Sequence, residues 1–161
     1  MAKVIMTCGK ICSGKSTYAR EMCKKCGGVL LSVDEITLAL FRNDTGDMHD
    51  EYVARAEEYL YEKSLEIIEN NINVVFDWGF WQKSEREYAR EFYKKHGITC
   101  EFHYIDTSDS LWKKRIDKRN RMVENGEISA YYVDEGLAEK AEGFFEKPSA
   151  DEIDVWVTQS E

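Results

Sequence analysis

One stretch constrains this chain more than any other: Gly9-Lys10-Ile11-Cys12-Ser13-Gly14-Lys15-Ser16-Thr17. It fits G-x-x-x-x-G-K-[ST], a loop whose backbone amides surround phosphate oxygens. The loop needs a strand before it and a helix after it, and the flanks supply both. Lys3 to Cys8 is mostly apolar and partly β-branched, as a buried parallel strand requires. Ser16 to Lys25 carries Tyr18, Ala19 and Met22 at helical spacing. Gly9 and Gly14 let the backbone turn tightly and bring N–H groups up to an anion. The helix points its positive end the same way. On this pattern Lys15 reaches the β- and γ-phosphates and the Ser16 hydroxyl holds Mg²⁺.

Strands and helices alternate through the rest of the chain. Gly27-Gly28 stops the first helix, and Val29–Val33 reads as a strand with Asp34 at its carboxyl end. A helix from Glu35 to Arg42 precedes the polar turn Asn43–Asp47. Val53, Ala56, Leu60, Ile67 and Ile68 form the stripe of a long amphipathic helix, about Asp50 to Asn70. Ile72–Phe76 is a third strand ending in Asp77, followed by the aromatic loop Trp78-Gly79-Phe80-Trp81. Then come a helix from Ser84 to His96, a strand from Thr99 to Ile105 and a basic helix from Asp109 to about Glu124. A helix from Tyr131 to Phe145, a loop with Pro148 and a strand Ile153–Val157 complete the pattern. The pattern predicts one α/β domain over residues 1–161, three-layered, with a five-stranded parallel sheet and a helical lid at about 113–130. Ligands of such sheets bind outside the carboxyl ends of the strands. Gly9–Ser16, Asp34 and Asp77–Trp81 all fall there.

Phosphoryl transfer needs a cradle, a metal, a group orienting the nucleophile and positive charge on the migrating phosphoryl. Asp77 is placed to be the second carboxylate near Mg²⁺, or else caps the following turn. Asp34 is placed to accept a proton from a substrate hydroxyl, to cap the helix after it, or both. Arg115 and Arg119 are spaced i, i+4 and share a helix face. They either close over the phosphates or belong to a solvated basic face. Trp78, Phe80 and Trp81 wall a pocket or pack in the core. His49, His96 and His103 stand isolated and read as surface or structural residues.

Composition narrows the setting. Against 22 basic residues stand 31 acidic ones, and the net charge of −9 disfavours broad binding to nucleic-acid backbone. No apolar run approaches membrane-spanning length and no charged-then-apolar leader opens the sequence, so a soluble cytoplasmic protein is expected. Five cysteines in a chain long enough for a full core read as reduced thiols. Cys23-Lys24-Lys25-Cys26 matches C-x-x-C, and its lysines would lower a thiol pKa, but no thioredoxin-like context surrounds it.

The chain resembles the small P-loop kinases built as adenylate and shikimate kinases are. It is most similar to bacterial kinases of the AAA-domain predicted-kinase type, related to zeta toxins and chloramphenicol phosphotransferase. The resemblance spans nearly the whole chain. It rests on Gly9–Thr17, Leu31–Glu35, Val74–Trp81, Arg115–Asn120 and Phe145–Pro148 with Glu152. It implies ATP chemistry with Mg²⁺ but does not name the acceptor, since members of the family phosphorylate unlike acceptors; the first reading is an ATP-dependent kinase acting on a hydroxyl of a small molecule. The resemblance also implies a catalytic carboxylate at Asp34, lid arginines at Arg115 and Arg119, and a loop beside the adenine at Pro148. Cys12 departs from the pattern, since many relatives have Gly or another small residue there. Two other functions remain open: a polynucleotide 5′-hydroxyl kinase, and a nucleotide-binding switch without transfer.

Overall fold

The computed structural model describes residues 1–42 and 44–160. Five strands form one parallel sheet: β1 (Val4–Cys8), β2 (Val29–Leu31), β3 (Val74–Asp77), β4 (Cys100–Thr107) and β5 (Val155–Gln159). Their order across the sheet is β2-β3-β1-β4-β5. β1 is central and fully buried because strands flank it and helices cover both faces. Six helices connect the strands: α1 (Lys15–Cys26), α2 (Val33–Phe41), α3 (His49–Glu69), α4 (Lys83–Lys95), α5 (Asp109–Glu124) and α6 (Glu135–Phe144).

The two-residue period of the strands divides the core. Ile5 and Val75 point to one face and pack with Ala19 of α1, Met22 and Leu30. Val4, Met6, Phe76 and Phe102 point to the other, where Leu60 and Tyr61 of α3 and Ala89 and Tyr93 of α4 complete a larger cluster. Beside it lies the buried Arg86 of α4, 2% exposed. Its Nε donates to Glu152 at 2.9 Å, and its Nη1 donates to the carbonyls of Phe80 and Trp81 at 2.9 and 3.2 Å. One guanidinium thus fixes α4, the aromatic loop and the segment leading into β5. A buried ion of this kind is tolerated only when its donors are satisfied.

The elements fall where the periodicity puts them, with shifts at their ends. β2 stops at Leu31, because Ser32 caps the next helix: its Oγ accepts the Glu35 N–H at 3.3 Å. Val33 and Asp34 therefore belong to the first turn of α2. α6 begins at Glu135, four residues late. Asp134 caps it and accepts the Leu137 N–H at 2.7 Å, while Val133 is held by Asn120. β4 and β5 each run two residues beyond the apolar stretch, pairing Asp106 with Thr158 and Thr107 with Gln159. Asn43 of the expected polar turn lies outside the described residues, as does Glu161. No helix among the described residues is long and apolar enough to cross a membrane.

Candidate active site

β1 delivers the chain into the glycine-rich loop, and Gly14 hands it to α1 with φ of 97°. That φ strains any side chain, and a Cβ would also displace the end of Arg115, whose Nη1 would lie 2.9 Å away. At Gly9 a Cβ would meet the Ile105 carbonyl and Ser13 Oγ, both at 2.9 Å. Cys12 holds φ of 58°, a left-handed conformation that a side chain disfavours. This is the physical meaning of the departure noted in the sequence: the loop asks for glycine here and accepts strain instead.

The loop residues Ile11 to Thr17 line a cleft of about 960 Å³, together with Asp34, Asp77, Arg115 and Arg119. Gly9 and Lys10 do not line it. Lys10 turns away, its Nζ at 3.4 Å from Asp109, at 3.2 Å from Glu142 and over the Trp112 ring. Its carbonyl accepts from Lys15 Nζ at 2.6 Å. Burial pushes the Lys15 pKa down, and the Asp77 carboxylate pulls it back up. Asp77 is 8% exposed at the end of β3 and accepts a hydrogen bond from the Ser16 hydroxyl at 3.1 Å. A hydroxyl and a carboxylate oxygen are hard donors, and their chemistry suits Mg²⁺.

Asp34 is the residue whose reading changes most. With Ser32 as cap, its carboxylate is not needed by the helix end. It faces the cleft. Solvent reaches it through the cleft mouth, but protein surrounds it closely enough that desolvation raises its pKa. Arg119 lowers it, Asp77 raises it, and Lys15 and His49 lower it further. A carboxylate held between opposing charges is a common active-site arrangement.

α5 lies against the loop. Arg115 Nη1 donates to the Ser13 carbonyl and to Gln159 Oε1, the latter at 2.6 Å. Trp112 Nε1 donates to the Ile11 carbonyl at 2.6 Å, and Arg119 Nη1 reaches Cys12 Sγ at 3.6 Å. Arg119 Nε is buried and has no partner among the described residues. The basic helix is thus two-sided: Arg115 and Arg119 are half-buried over the cleft and the exposed Lys118 lines it too, while Lys113 and Arg121 face solvent. Beyond α5 the chain crosses the cleft. Asn120 brackets Val133 with two hydrogen bonds of 2.7 and 2.8 Å, and the Tyr131 hydroxyl meets Thr37 Oγ1 of α2 at 2.9 Å.

Pro148 is not in the lining of this cleft, but its neighbours Phe145 and Lys147 line a smaller cavity of about 300 Å³ shared with Lys10 and Ser13 of the loop. Pro148 itself is buried in a segment tied elsewhere: the Glu146 N–H donates to the Trp81 carbonyl, its carboxylate accepts from Lys83 N–H, and Ser149 and Glu152 cap each other. Gln159, at the end of β5, lines the cleft wall. Phe80 is core at 2% exposure, while Trp78, Gly79 and Trp81 of the aromatic loop line the cleft. The Cys23 thiol is pushed up to about 11 by burial and by Cys26, against the lowering its lysine neighbours suggested. All five cysteines are free thiols.

His49 is a cleft residue that the sequence reading passed over. It opens α3, its Nδ1 lies 3.1 Å from Thr45 Oγ1, and its ring meets Tyr131 edge-on at 5.4 Å. Thr45, Tyr131 and Tyr132 join it. Nothing local in the sequence marks them, since they meet only through the crossovers.

A phosphate loop on a central parallel strand, a Ser–Asp pair at its mouth and a basic helix above define the class: a P-loop NTPase domain with the architecture of small kinases. The chain belongs to the AAA_33 family, described as AAA domain, whose profile matches residues 4–138. Solved structures with this fold include a sugar kinase from Janibacter sp. HTCC2649, with TM-score 0.67 and 16% identity over 98% of this chain and 86% of that one. A gluconokinase from Sinorhizobium meliloti 1021 gives TM-score 0.63 and 18% identity over 97% and 81%. The APS kinase of Mycobacterium tuberculosis, in complex with AMPPNP and APS, gives 0.65 and 19% over 99% and 90%. No curated protein matches the chain.

Proposed function

We propose that this protein is a kinase transferring the γ-phosphoryl group of ATP to a hydroxyl of a small molecule. The observation that carries this reading is Asp34: a carboxylate released from capping, facing the same cleft as Lys15, the Ser16–Asp77 pair and two arginines. Ile11–Thr17 receive the phosphates through backbone N–H groups, and Lys15 leaves the Lys10 carbonyl for the β- and γ-oxygens. Ser16 and Asp77 would hold Mg²⁺, which neutralises charge on those oxygens when bound. Asp34 takes the acceptor's hydroxyl proton as that oxygen bonds to the γ-phosphorus and the bond to the β-phosphate oxygen breaks, leaving ADP. Arg115 and Arg119 add positive charge where the transition state spreads negative charge.

The net charge of −9 weighs against a polynucleotide acceptor. Five free thiols suit a reducing, cytoplasmic setting. A panel of hydroxyl compounds and a 5′-hydroxyl oligonucleotide, incubated with ATP and Mg²⁺ and read by mass spectrometry, tests the reading. A phosphate adduct on a small molecule supports it. An adduct on the oligonucleotide alone, or ATP hydrolysis unaffected by every acceptor, overturns it.

A further inference from the structure

Cys12 stands where the phosphate loop asks for glycine. Its φ of 58° lies in the left-handed region, which is costly for a residue with a side chain. Such a conformation persists where its surroundings hold the residue there, and it is commonest at functional sites. The thiol has a partner that gives the position a use. Cys12 Sγ accepts from Arg119 Nη1 at 3.6 Å, a contact between the loop and α5. Among the described residues this is the one hydrogen bond of Arg119, whose Nε is buried without a partner. Both residues line the cleft that Lys15 and Asp77 share.

The kind of acceptor matters. Arg115, one turn earlier on α5, is held by two oxygens, the Ser13 carbonyl and Gln159 Oε1. Arg119 is held by sulfur, a weak acceptor. A carboxylate in its place would bind the guanidinium strongly and compete with phosphate oxygens for it. Sulfur orients the side chain and yields it readily. An arginine already oriented also loses less rotamer freedom when it engages the phosphoryl group.

We propose that Cys12 is a positioning residue: its thiol holds Arg119 over the phosphate loop, aimed at the charge that develops on the transferred phosphoryl group. The proposal rests on the phosphoryl-transfer reading above. The readout is the factor by which aluminium fluoride, a mimic of the phosphoryl in transfer, tightens the binding of ADP with Mg²⁺ to the full chain, measured by calorimetry. Arg119→Ala is expected to cut that factor by about tenfold or more. Cys12→Ala keeps the Cβ and removes the sulfur, and should cut it by about fivefold or more through a misplaced arginine. Cys12→Ser keeps an acceptor and should recover most of the loss. In the Arg119→Ala background, Cys12→Ala should change the factor by less than about twofold, since both act through one contact. Cys12→Gly relieves the backbone and should melt no lower than wild type. A wild-type factor in Cys12→Ala, a full further loss in the Arg119→Ala background, Cys12→Ser no better than alanine, or a Cys12→Gly melt well below wild type overturns the proposal alone. If Arg119→Ala itself keeps the wild-type factor, the arginine's part in the transfer reading falls too. If aluminium fluoride does not tighten ADP binding in wild type, the phosphoryl-transfer reading fails and takes this proposal with it.

Discussion

Asp34 shows how much can turn on one hydrogen bond. Had its side chain capped α2, replacing it would cost the helix about 1 kcal/mol and leave chemistry alone. Ser32 does the capping, so the opposite balance is expected of Asp34→Asn. Phosphoryl transfer should fall by roughly 10²–10⁴-fold, the range of general-base assistance, with ATP affinity changed little. Stability should move the other way. The raised carboxyl pKa means that the folded state holds this proton more tightly than the unfolded state does. That contribution is complete below the ordinary carboxylate range and is lost as pH rises through the raised value. The asparagine variant avoids the loss, so it should melt above wild type at neutral pH, the gap closing on acidification. Thermal melts across pH, beside single-turnover transfer, check both halves. The sequence could not separate the two roles, since Ser32 and Asp34 are both good caps two residues apart.

At the scale of elements, α5 and α3 each carry a test. Arg115 and Arg119 are the half-buried, cleft-facing arginines of a basic helix whose Lys118 also lines the cleft. Arg115→Ala and Arg119→Ala should each lower kcat more than they weaken ATP binding, because charge aimed at the transition state acts on the rate. Steady-state kinetics beside direct ATP titration would show it, and normal turnover in both variants would return the helix to a surface role. On α3, burial first and Glu85 second push Glu57 up to about 7. The folded state again favours the protonated form, so this stabilisation is lost as pH rises through about 7. Glu57→Gln should therefore gain stability relative to wild type between pH 5 and 8, by roughly 1–2 kcal/mol after allowing for partial solvent access. Denaturant melts at the two pH values measure it. The helices were legible because their stripes are local. Their ends were less so: α6 starts late because Tyr131 and Val133 are bound to Thr37 and Asn120, contacts made across the fold.

For the whole molecule, the sheet was readable because a strand buried on both faces has to be apolar, as β1 and β3 are. The carboxyl-end rule then placed the loop, Asp34 and Asp77 together before any coordinates. It could not place His49 or Tyr131, which reach the cleft from helical and loop segments whose packing has no sequence period. Nor does it place the Pro148 segment, which is tied to α4 by Glu146 and by the buried Arg86–Glu152 pair. Local chemistry is written in short spacings, and long-range convergence is decided by the crossovers.

The central claim is that this cleft moves a phosphoryl group from ATP to another molecule through Lys15. It is tested most directly by incubating γ-labelled ATP and Mg²⁺ with a mixed small-molecule acceptor pool, using wild type and Lys15→Ala. Circular dichroism serves as the fold control. The predicted result is label appearing in a new organic phosphate with wild type and none with the folded Lys15→Ala variant. Label released only as inorganic phosphate, or transferred equally well by both proteins, would contradict the account.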